Sequence, residues 1–472
     1  MAISKTDYPL FVVLSYFKDV AVVNSIKSVA IKIINKMKKL SILLFICLSG
    51  LYSTTAVAQK VSVKIYPEIK KQVVKSIGGN YCQSNYSAHA TDSIGYETLR
   101  EFRPEYVRVA LPLRLRNLNF DEYRGEKYLK QPLVVEVLEE LEQMKNKYGV
   151  KNFTISVWDV PDEFIVDPSK KQQRVIKPEA YDEIIQMLTS FFLKAKNEYG
   201  VEVDQFSFNE SDGGYQIIFS PEATIVFVKK AGAAFESAGL KTKFLWADTA
   251  QTKGTVEFAT RIFSDPEIWK YLGPLSFHCW WSEGIPDSEF ERIAGLGKAW
   301  NKEVWCSELG FDAMSWKIKG MNKSWDYGLR FARIAYRMMK FAEVEVSLYW
   351  TWQNNYAIMS SDLQEKYPSY YITRHYVDFL NSGTQIVHSD SSDPELLSIS
   401  GITADGKKVL QMINMKKEAL TVEVSGFKSD KINAITTTET NFWENKIIKV
   451  PAQMGNTELQ VAPESVNTFV FN

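Results

Sequence analysis

Residues 178–210 read PEAYDEIIQMLTSFFLKAKNEYGVEVDQFSFNE and join one amphipathic helix to one short strand. Pro178 favours the start of a helix and Gly200 favours its end. Between them apolar side chains recur at steps of three and four, which places them on one helix face: Ile184, Ile185, Leu188, Phe191, Phe192, Ala195 and Tyr199. Phe206-Ser207-Phe208 then predicts a strand, so the segment indicates the alternating helix and strand of an α/β fold.

The same alternation extends on both sides of this segment. Strands are predicted at residues 73–79, 105–111, 152–158, 204–209, 242–248, 273–279, 302–308 and 345–351. Several of these runs are apolar on most residues, which is typical of parallel strands covered on both faces. Eight such βα units predict a (β/α)8 TIM barrel over residues 73–382, with its chemistry at the C-terminal ends of the strands.

The pattern changes after the predicted barrel. Short alternating runs such as Leu420-Thr421-Val422-Glu423-Val424 follow, separated by turn signals such as Asp405-Gly406. They predict a C-terminal antiparallel β-sandwich domain over residues 383–472. The run Val61-Ser62-Val63-Lys64-Ile65, within residues 59–72, precedes the barrel and is expected to add a strand to that sandwich.

A targeting signal lies near the N-terminus. Residues 37–58 read MKKLSILLFICLSGLYSTTAVA, which predicts a secretory signal peptide cleaved after Ala58. Its apolar run is shorter than the about 20 residues that span a bilayer. We therefore expect an exported protein, periplasmic or extracellular, with no membrane span in the mature chain. Residues 1–36 are interpreted as a non-native upstream extension, and lipid anchoring at Cys47 is disfavoured because large residues precede it.

Charge and motif content narrow the classes of partner. The chain has 472 residues with 56 Lys+Arg and 56 Asp+Glu, so it lacks the basic excess that nucleic-acid phosphates require. Four cysteines without a CxxC pair and four histidines disfavour a metal site. No GxSxG motif is present and no GxGxxG motif follows a predicted strand, which disfavours serine hydrolases and dinucleotide enzymes. No nucleic acid, metal or organic cofactor is therefore expected.

Two glutamates are predicted at the rim of the barrel. Asn209-Glu210 ends the fourth predicted strand, and Glu308 ends the seventh, nearly opposite. Two carboxyl groups about 5 to 5.5 Å apart cleave glycosidic bonds with retention, one as acid and one as nucleophile. The Asn209 amide is placed to bind the sugar 2-hydroxyl as charge develops. The alternative is that each glutamate is a solvated strand-end residue.

A buried arginine and a histidine extend this candidate site. Arg108 interrupts an apolar strand, where a charge is costly unless it is paired, so it is expected to orient the nucleophile. Its alternative role is a structural ion pair with another strand. His278 ends the sixth predicted strand and is expected to bind Glu308 or substrate, although a satisfied core histidine fits the pattern nearly as well.

Tryptophans cluster near the predicted strand ends. Indole rings bury the apolar faces of sugars and still offer one N–H group, and Trp158, Trp280 and Trp352 are expected to do so. Barrel packing is the alternative for some of the others, notably Trp305. Asp159 and Asp162 are candidates for binding sugar hydroxyls or for solvated loop positions. A basic excess after the second strand suggests acidic sugars or a solvated loop: Arg114, Arg116, Arg124, Lys127 and Lys130.

At these positions the chain resembles clan A glycoside hydrolases, in which an Asn-Glu pair ends strand four and a second Glu ends strand seven. Within the clan it resembles family 30 most. The similar segments are KQVVKSIGGN at 71–80, YYITRHY at 370–376 and APESVNTF at 462–469. The family's pattern differs at two positions, because Ser211 follows Glu210 where proline is common and Asn80 stands where a serine is usual.

This resemblance implies Glu210 as acid/base, Glu308 as nucleophile, and Arg108 and Asn209 as supporting groups. The leading hypothesis is a retaining β-glycoside hydrolase that acts on a polysaccharide or glycoconjugate without a cofactor. Two alternatives stay open. One is a carbohydrate-binding protein that lacks turnover, and the other is an α-L-arabinofuranosidase, since families such as 39 and 51 also combine a barrel with a sandwich.

Overall fold

The structure is a computed structural model and describes residues 61–81, 92–115, 117–312, 314–352, 354–450 and 456–472. The proposed upstream extension and the signal peptide lie outside these residues and stay predictions. Val61–Asn472 forms one compact unit, so a domain boundary at residue 383 also stays a prediction. Within the described residues, no helix has the length and apolar character needed to span a membrane.

The strands follow the predicted alternation with helices. In chain order the strands are β1 (Val61–Val73), β2 (Ser76–Tyr81), β3 (Tyr106–Ala110), β4 (Asn152–Val157), β5 (Arg174–Val175), β6 (Gln205–Phe208), β7 (Ile217–Ile218), β8 (Lys243–Thr249), β9 (Leu272–His278), β10 (Val304–Leu309), β11 (Val346–Tyr349), β12 (Gln385–Ser391), β13 (Leu396–Ile402), β14 (Lys408–Asn414), β15 (Leu420–Ser425), β16 (Lys431–Thr437), β17 (Glu444–Lys449), β18 (Thr457–Val461) and β19 (Ser465–Phe471). The α-helices are α1 (Ser93–Phe102), α2 (Phe120–Tyr123), α3 (Pro132–Tyr148), α4 (Tyr181–Glu198), α5 (Pro221–Ser237), α6 (Thr255–Phe263), α7 (Asp287–Ala299), α8 (Trp325–Lys340) and α9 (Pro368–Val377).

Eight parallel strands close into a barrel in the order β2, β3, β4, β6, β8, β9, β10 and β11, with β11 pairing back to β2. Each overlaps one of the eight predicted runs, so the predicted TIM barrel is confirmed. We refer to these strands as the first to eighth barrel strands. Their C-terminal ends lie at one rim of the barrel, which is where the predicted site residues were expected to meet.

The helix at residues 178–198 shows how the sequence builds one unit of this barrel. Its first turn is a 3₁₀ turn over Pro178–Ala180, and α4 follows with its apolar face buried. Phe192 of α4 packs edge-on against Phe206 of the fourth barrel strand, with ring centroids 6.1 Å apart. Gly200 has a φ of +67°, a backbone conformation that glycine adopts without steric cost, and it ends the turn after the helix. This packing holds the strand that leads to Glu210.

The remaining long strands form a nine-stranded sheet in the order β17, β16, β19, β14, β13, β12, β1, β15 and β18. The predicted C-terminal antiparallel β domain is confirmed, with the difference that hydrogen bonding is continuous across one sheet. β1 pairs antiparallel with β12 and parallel with β15. Val63 on β1 and Phe471 on β19 share one apolar cluster although three strands lie between them in the sheet. The sheet therefore encloses a core of its own.

The barrel and the sheet are joined by polar contacts inside this unit. Val74 donates its backbone N–H to Thr384 O at 2.9 Å, next to the start of the first barrel strand. His375 of α9 lies 2.8 Å from Thr468 Oγ1 and 2.9 Å from Thr437 Oγ1, both in the sheet. The segment that carries His375 is one of those that resemble family 30. Through His375 it packs against the sheet that follows it in the chain.

Candidate active site

Polar side chains form a layer inside the barrel at its C-terminal end. The first seven barrel strands each contribute one buried member: Asn80, Arg108, Ser156, Ser207, Asp248, Ser276 and Ser307. Hydrogen bonds link neighbours, such as Ser276 Oγ to Ser307 Oγ at 2.7 Å and Ser156 Oγ to Ser207 Oγ at 3.2 Å. Buried polar groups are costly unless they are hydrogen-bonded, and here members of the layer hydrogen-bond to one another.

Arg108 connects this layer to the predicted site residues. Its guanidinium donates to Asn80 Oδ1 and to Ser156 Oγ, each at 2.9 Å. It also donates to Glu308 Oε1 at 2.7 Å and to Asn209 Oδ1 at 2.6 Å. A guanidinium can only donate, so these bonds fix the Asn209 amide with its oxygen towards Arg108. Arg108 therefore bonds to other barrel strands and also orients Glu308 and Asn209, so both of the roles expected from the sequence are compatible with its contacts.

Glu308 is buried at the end of the seventh barrel strand. Besides Arg108, Trp280 Nε1 donates to its Oε2 at 2.9 Å, and His278 Nδ1 lies 3.2 Å from the same oxygen. Burial by itself would raise the pKa of Glu308, but the charges of His278 and Arg108 outweigh it and hold that pKa below its usual range. This carboxylate is therefore ionised, as an attacking group must be.

Glu210 follows the fourth barrel strand with its side chain 12% exposed. Its φ of +48° is uncommon for a residue with a side chain, and the surrounding fold holds it there. Its Oε1 lies 3.3 Å from His278 Nδ1. Burial raises the pKa of Glu210 above its usual range, and the charge of Glu308 adds to this, although His278 opposes it. This carboxyl group therefore favours the protonated form of an acid.

The two glutamates face each other at short range. Ligand atoms of Glu210, His278 and Glu308, one from each residue, all lie within 4.8 Å of one another. That separation is close to the about 5 to 5.5 Å of retaining glycosidases and shorter than the about 6.5 to 9.5 Å of inverting ones. The two groups thus combine short spacing with opposite pKa shifts, the pattern that separates an acid from a nucleophile.

His278 is buried between these carboxyl groups and Asp248. Its Nδ1 faces Glu210 and Glu308, and its Nε2 lies 3.5 Å from Asp248 Oδ1. A doubly protonated ring would place its positive charge between the Glu308 and Asp248 carboxylates, at 3.2 Å and 3.5 Å. Burial favours the neutral ring, but the negative charge of Glu308 and bonds to the other carboxyl groups raise the pKa of His278 well above its usual value.

Two of the three predicted tryptophans lie beside these groups. Trp280 holds Glu308 through its indole N–H, as described above. The guanidinium of Arg108 lies over the ring of Trp158, with Cζ 4.8 Å from the ring centroid. Trp158 also packs on Trp350, with ring centroids 5.8 Å apart. Both are buried in this structure, so their direct contact with a sugar stays a prediction.

Trp352 is placed elsewhere, and its expected position at the sugar site is corrected. Only 1% of its surface is exposed. Its ring stacks on Tyr349 with centroids 4.7 Å apart and packs against Phe102 at 5.5 Å. Gly79 lets it approach, because a Cβ at that glycine would fall 2.0 Å from Trp352 Nε1. The chain turns this indole into the layer between barrel and helices, and strand-end position alone does not reveal that direction.

The acidic and basic loop positions pair with each other. Asp159 accepts from Arg114 at 2.9 Å and from Arg174 at 2.6 Å, and Asp162 accepts from Arg114 at 2.6 Å. Together they line a cavity of about 710 Å³ on the loops after the second to fourth barrel strands. Asp159 is therefore neither a solvated carboxylate nor a free sugar ligand. Of the other predicted basic positions, Arg124 pairs with Glu183, and Arg116 lies outside the described residues.

Asp248 is absent from the predicted site residues, yet it lies at the centre of this geometry. The available signal is similar to the one that marks Arg108, because Asp248 is a charge directly after the apolar run Phe244-Leu245-Trp246-Ala247. Asn80 also belongs here. Its departure from the family 30 pattern is visible in the sequence, and the structure shows that it accepts a bond from Arg108.

The converging atoms of Glu210, His278 and Glu308 have a spacing that metal ligands also show. These three groups also have protein partners, since Arg108 and Trp280 donate to Glu308. The expected absence of a metal and of an organic cofactor stays a prediction.

Comparison with known proteins identifies the fold. No protein-family model and no curated protein matches this sequence. Among solved structures, the family 30 endoxylanase from Clostridium papyrosolvens C71 covers 87% of this chain and 100% of its own, with 16% identity and a TM-score of 0.68. The family 30 subfamily 8 xylanase Xyn30A from Clostridium acetobutylicum covers 87% and 99%, with 15% identity and a TM-score of 0.69.

A family 51 α-L-arabinofuranosidase from Thermotoga petrophila RKU-1 shares the fold as well. It covers 88% of this chain and 100% of its own chain, with 12% identity and a TM-score of 0.61. These similarities confirm the fold that the resemblance to family 30 implied, a barrel with an attached β-sheet domain. At such low identities they establish the arrangement of barrel and sheet, and the chemistry has to be inferred from the residues.

Proposed function

We propose that this protein is a retaining β-glycoside hydrolase that cleaves O-glycosyl bonds of a polysaccharide or glycoconjugate. The observation that carries the proposal is the pair Glu210 and Glu308, with oxygens within 4.8 Å and pKa values shifted in opposite directions. The β configuration comes from the resemblance to family 30. The signal peptide supports an exported enzyme, periplasmic or extracellular, that meets glycans outside the cytoplasm.

In the first half of the reaction, Glu308 attacks the anomeric carbon and forms a glycosyl ester. The bond to the leaving oxygen breaks, and that oxygen takes the proton of Glu210. In the second half, Glu210 accepts a proton from water while the water oxygen attacks the same carbon. The ester bond breaks, the sugar leaves with its original configuration, and both glutamates regain their starting protonation.

Other site residues support these steps through contacts that the fold already holds. Arg108 and Trp280 keep the Glu308 carboxylate oriented and ionised. Asn209 is held by its oxygen, so its amide N–H groups are the part available to a sugar 2-hydroxyl. His278 and Trp158 complete the proposed substrate-binding set. The partner is therefore an oligosaccharide or polysaccharide, and no nucleic acid or cofactor enters the chemistry.

Covalent trapping tests this function directly. The purified chain should be incubated with 2-deoxy-2-fluoro β-glycosyl fluorides, which form the ester and hydrolyse it slowly. Peptide mass spectrometry should then find the sugar on Glu308, and NMR of a turning-over substrate should show the β anomer first. Label on a different residue, or first release of the α anomer, would contradict the proposed double displacement.

The similarity to a family 51 fold keeps α-L-arabinofuranosidase activity as a second candidate. A panel of aryl β-pyranosides and aryl α-L-arabinofuranosides separates the two, because each enzyme class turns over one set far faster. Calorimetry with the same sugars and with oligosaccharides covers the third candidate, a binding protein. Oligosaccharide binding without product after long incubation would favour that candidate over either enzyme.

A further inference from the structure

Asp248 is a buried carboxylate that the proposed reaction does not itself use. It ends the fifth barrel strand and is 1% exposed. Its Oδ1 accepts from Ser307 Oγ at 2.5 Å and from Ser276 Oγ at 2.9 Å. Its Oδ2 lies 3.4 Å from Arg108 Nη2. These contacts hold one orientation of the carboxylate, and the Arg108 charge lowers the pKa of Asp248 in spite of the opposing effect of burial.

The fourth neighbour of Asp248 is the far side of His278. Nε2 of the ring faces Asp248 Oδ1 at 3.5 Å, while Nδ1 faces Glu308 at 3.2 Å and Glu210 at 3.3 Å. A neutral imidazole carries one lone pair. A lone pair on Nε2 would face the Asp248 carboxylate, and one on Nδ1 would face the Glu308 carboxylate. The doubly protonated ring instead places a positive charge between these two ionised groups.

We propose that Asp248 is a positioning residue that keeps His278 as an imidazolium between Glu210 and Glu308 through both halves of the reaction. The proposal deepens the proposed function and rests on it for its catalytic meaning. Asp248 itself touches no reacting atom. It acts by holding a cation against the two glutamates that do react.

The balance of charge explains what this cation does. Before reaction Glu308 and Asp248 are negative, Arg108 and His278 are positive, and Glu210 is neutral, so these five groups together have no net charge. In the glycosyl ester Glu308 is neutral and Glu210 has given up its proton, so these groups again have no net charge. With an uncharged His278 these groups would carry a net negative charge in both states, and an uncompensated charge is costly in a buried site.

The charges that face His278 come from several elements. They are Glu210 and Asp212 after the fourth barrel strand, Asp248 on the fifth, Glu308 on the seventh and Arg108 on the second. The Nδ1 atom of His278 lies 3.2 Å from Glu308 and 3.3 Å from Glu210. Loss of the ring's proton therefore makes the surroundings of Glu210 and Glu308 more negative, and both groups should then hold protons to higher pH.

Histidine NMR tests the proposal without any need for turnover. The chain has four histidines, so ¹⁵N-histidine labelling gives few signals, and His278→Gln assigns one of them. In the unsubstituted protein both His278 nitrogens should stay protonated from pH 5 to pH 8, a range around the ordinary histidine value of about 6.5. A neutral His278 at pH 7 in this protein would overturn the proposal even if no variant folds.

Asp248→Asn removes the charge while it keeps the size and an acceptor for the serine hydroxyls. In the Asp248→Asn variant, the His278 ring should lose one of its two protons below pH 8. Ser307→Ala is the matched control, because it deletes one bond to Asp248 and leaves every charge in place, and its His278 should stay protonated. An imidazolium that persists unchanged in Asp248→Asn would show that Asp248 does not hold it.

Kinetics then connect this state to the reaction. In Asp248→Asn both limbs of the kcat/KM profile should move to higher pH by about one unit, the size of shift that a nearby charge produces. A loss of rate with both limbs in place would indicate a purely structural role and overturn the proposal. If the protein shows no glycosidase activity, the proposed function fails, whereas the NMR result still decides the state of His278.

Discussion

Within the part of the chain that the structure describes, two histidines are buried, and their surroundings differ in one chemical respect. His278, in the barrel mouth, faces carboxyl groups with both ring nitrogens. His375, between barrel and sheet, faces the hydroxyls of Thr437 and Thr468. Burial and, to a smaller extent, the Arg374 charge lower the pKa of His375 to about 3, whereas that of His278 is raised.

The difference shows that burial alone does not decide the charge of a side chain here. Burial disfavours the imidazolium at both positions. A hydroxyl can donate or accept, so a neutral ring is fully satisfied by two threonines, whereas a carboxylate can only accept. The barrel mouth therefore holds a charged histidine although it is buried, whereas the contact between barrel and sheet holds a neutral one. The variants below break or sharpen this contrast, in order of decreasing effect.

The largest effect should follow removal of the anion that makes the mouth a charged region. Glu308→Ala deletes the proposed nucleophile and the carboxylate nearest to His278. We expect kcat on an aryl β-glycoside to fall by about 10⁴-fold or more, because the described site offers no second group to form the ester. Glu439→Ala, at an exposed position on the sheet domain, is the control and should keep full activity. Near-normal turnover in Glu308→Ala would take the nucleophile role away from Glu308.

Glu210→Gln tests the other carboxyl group with the charge of Glu308 intact. For substrates with a poor leaving group, kcat/KM should fall by about 10² to 10⁴-fold, because the leaving oxygen no longer receives a proton. For a dinitrophenyl glycoside, whose leaving group needs no proton, kcat/KM should change little. The ratio between the two substrates is the measurement, and an equal loss with both would contradict the acid assignment.

Trp280→Phe keeps an aromatic ring and removes the N–H group that donates to Glu308. A hydrogen bond to a charged group contributes about 1.5 to 3 kcal/mol, so kcat should fall by about 10 to 100-fold. Trp352→Phe is the same change at a buried tryptophan packed away from the glutamates, and its kcat should stay unchanged. Similar losses of kcat in both variants would point to a general packing effect.

The smallest effect concerns the neutral histidine and the pH dependence of stability. The pKa of His375 is about 3 in the folded protein, below the ordinary 6.5, so the unfolded chain binds the proton first as pH falls. The contribution of the neutral His375 to the free energy of unfolding is complete above pH 6.5 and is lost between pH 6.5 and 3. In that window the free energy of unfolding should fall by at most about 1.4 kcal/mol for each unit by which the pH is lowered.

Urea unfolding at pH 7, 6 and 5 measures this slope. His375→Gln should flatten it, because glutamine binds no proton in this pH range. His278 contributes with the opposite sign, since its raised pKa adds stability below pH 6.5 that is lost as pH rises. A slope that stays unchanged in His375→Gln would mean that His375 does not change its protonation on folding.

The predicted site residues that come together do so because parallel barrel strands end at one rim. Glu210, Glu308 and Arg108 each occupy a strand end or a strand interior that the hydrophobic pattern marks, so position along the strand implied their meeting. Asp248 carries an equal signal. Its importance emerges only from its contacts, since a charge at the end of an apolar run does not say which charge lies opposite.

The alternation of apolar strands and amphipathic helices, which is a local property, was enough to determine the barrel, its eight strands and the rim where the glutamates lie. Pairing between distant segments was decided by the tertiary structure. It brings β1 beside β15 and β12, turns Trp352 into the packing layer and places Asp248 behind His278. A strand's pattern specifies which faces are buried, whereas its partners depend on how the whole chain closes, and the protonation of a buried group depends on those partners.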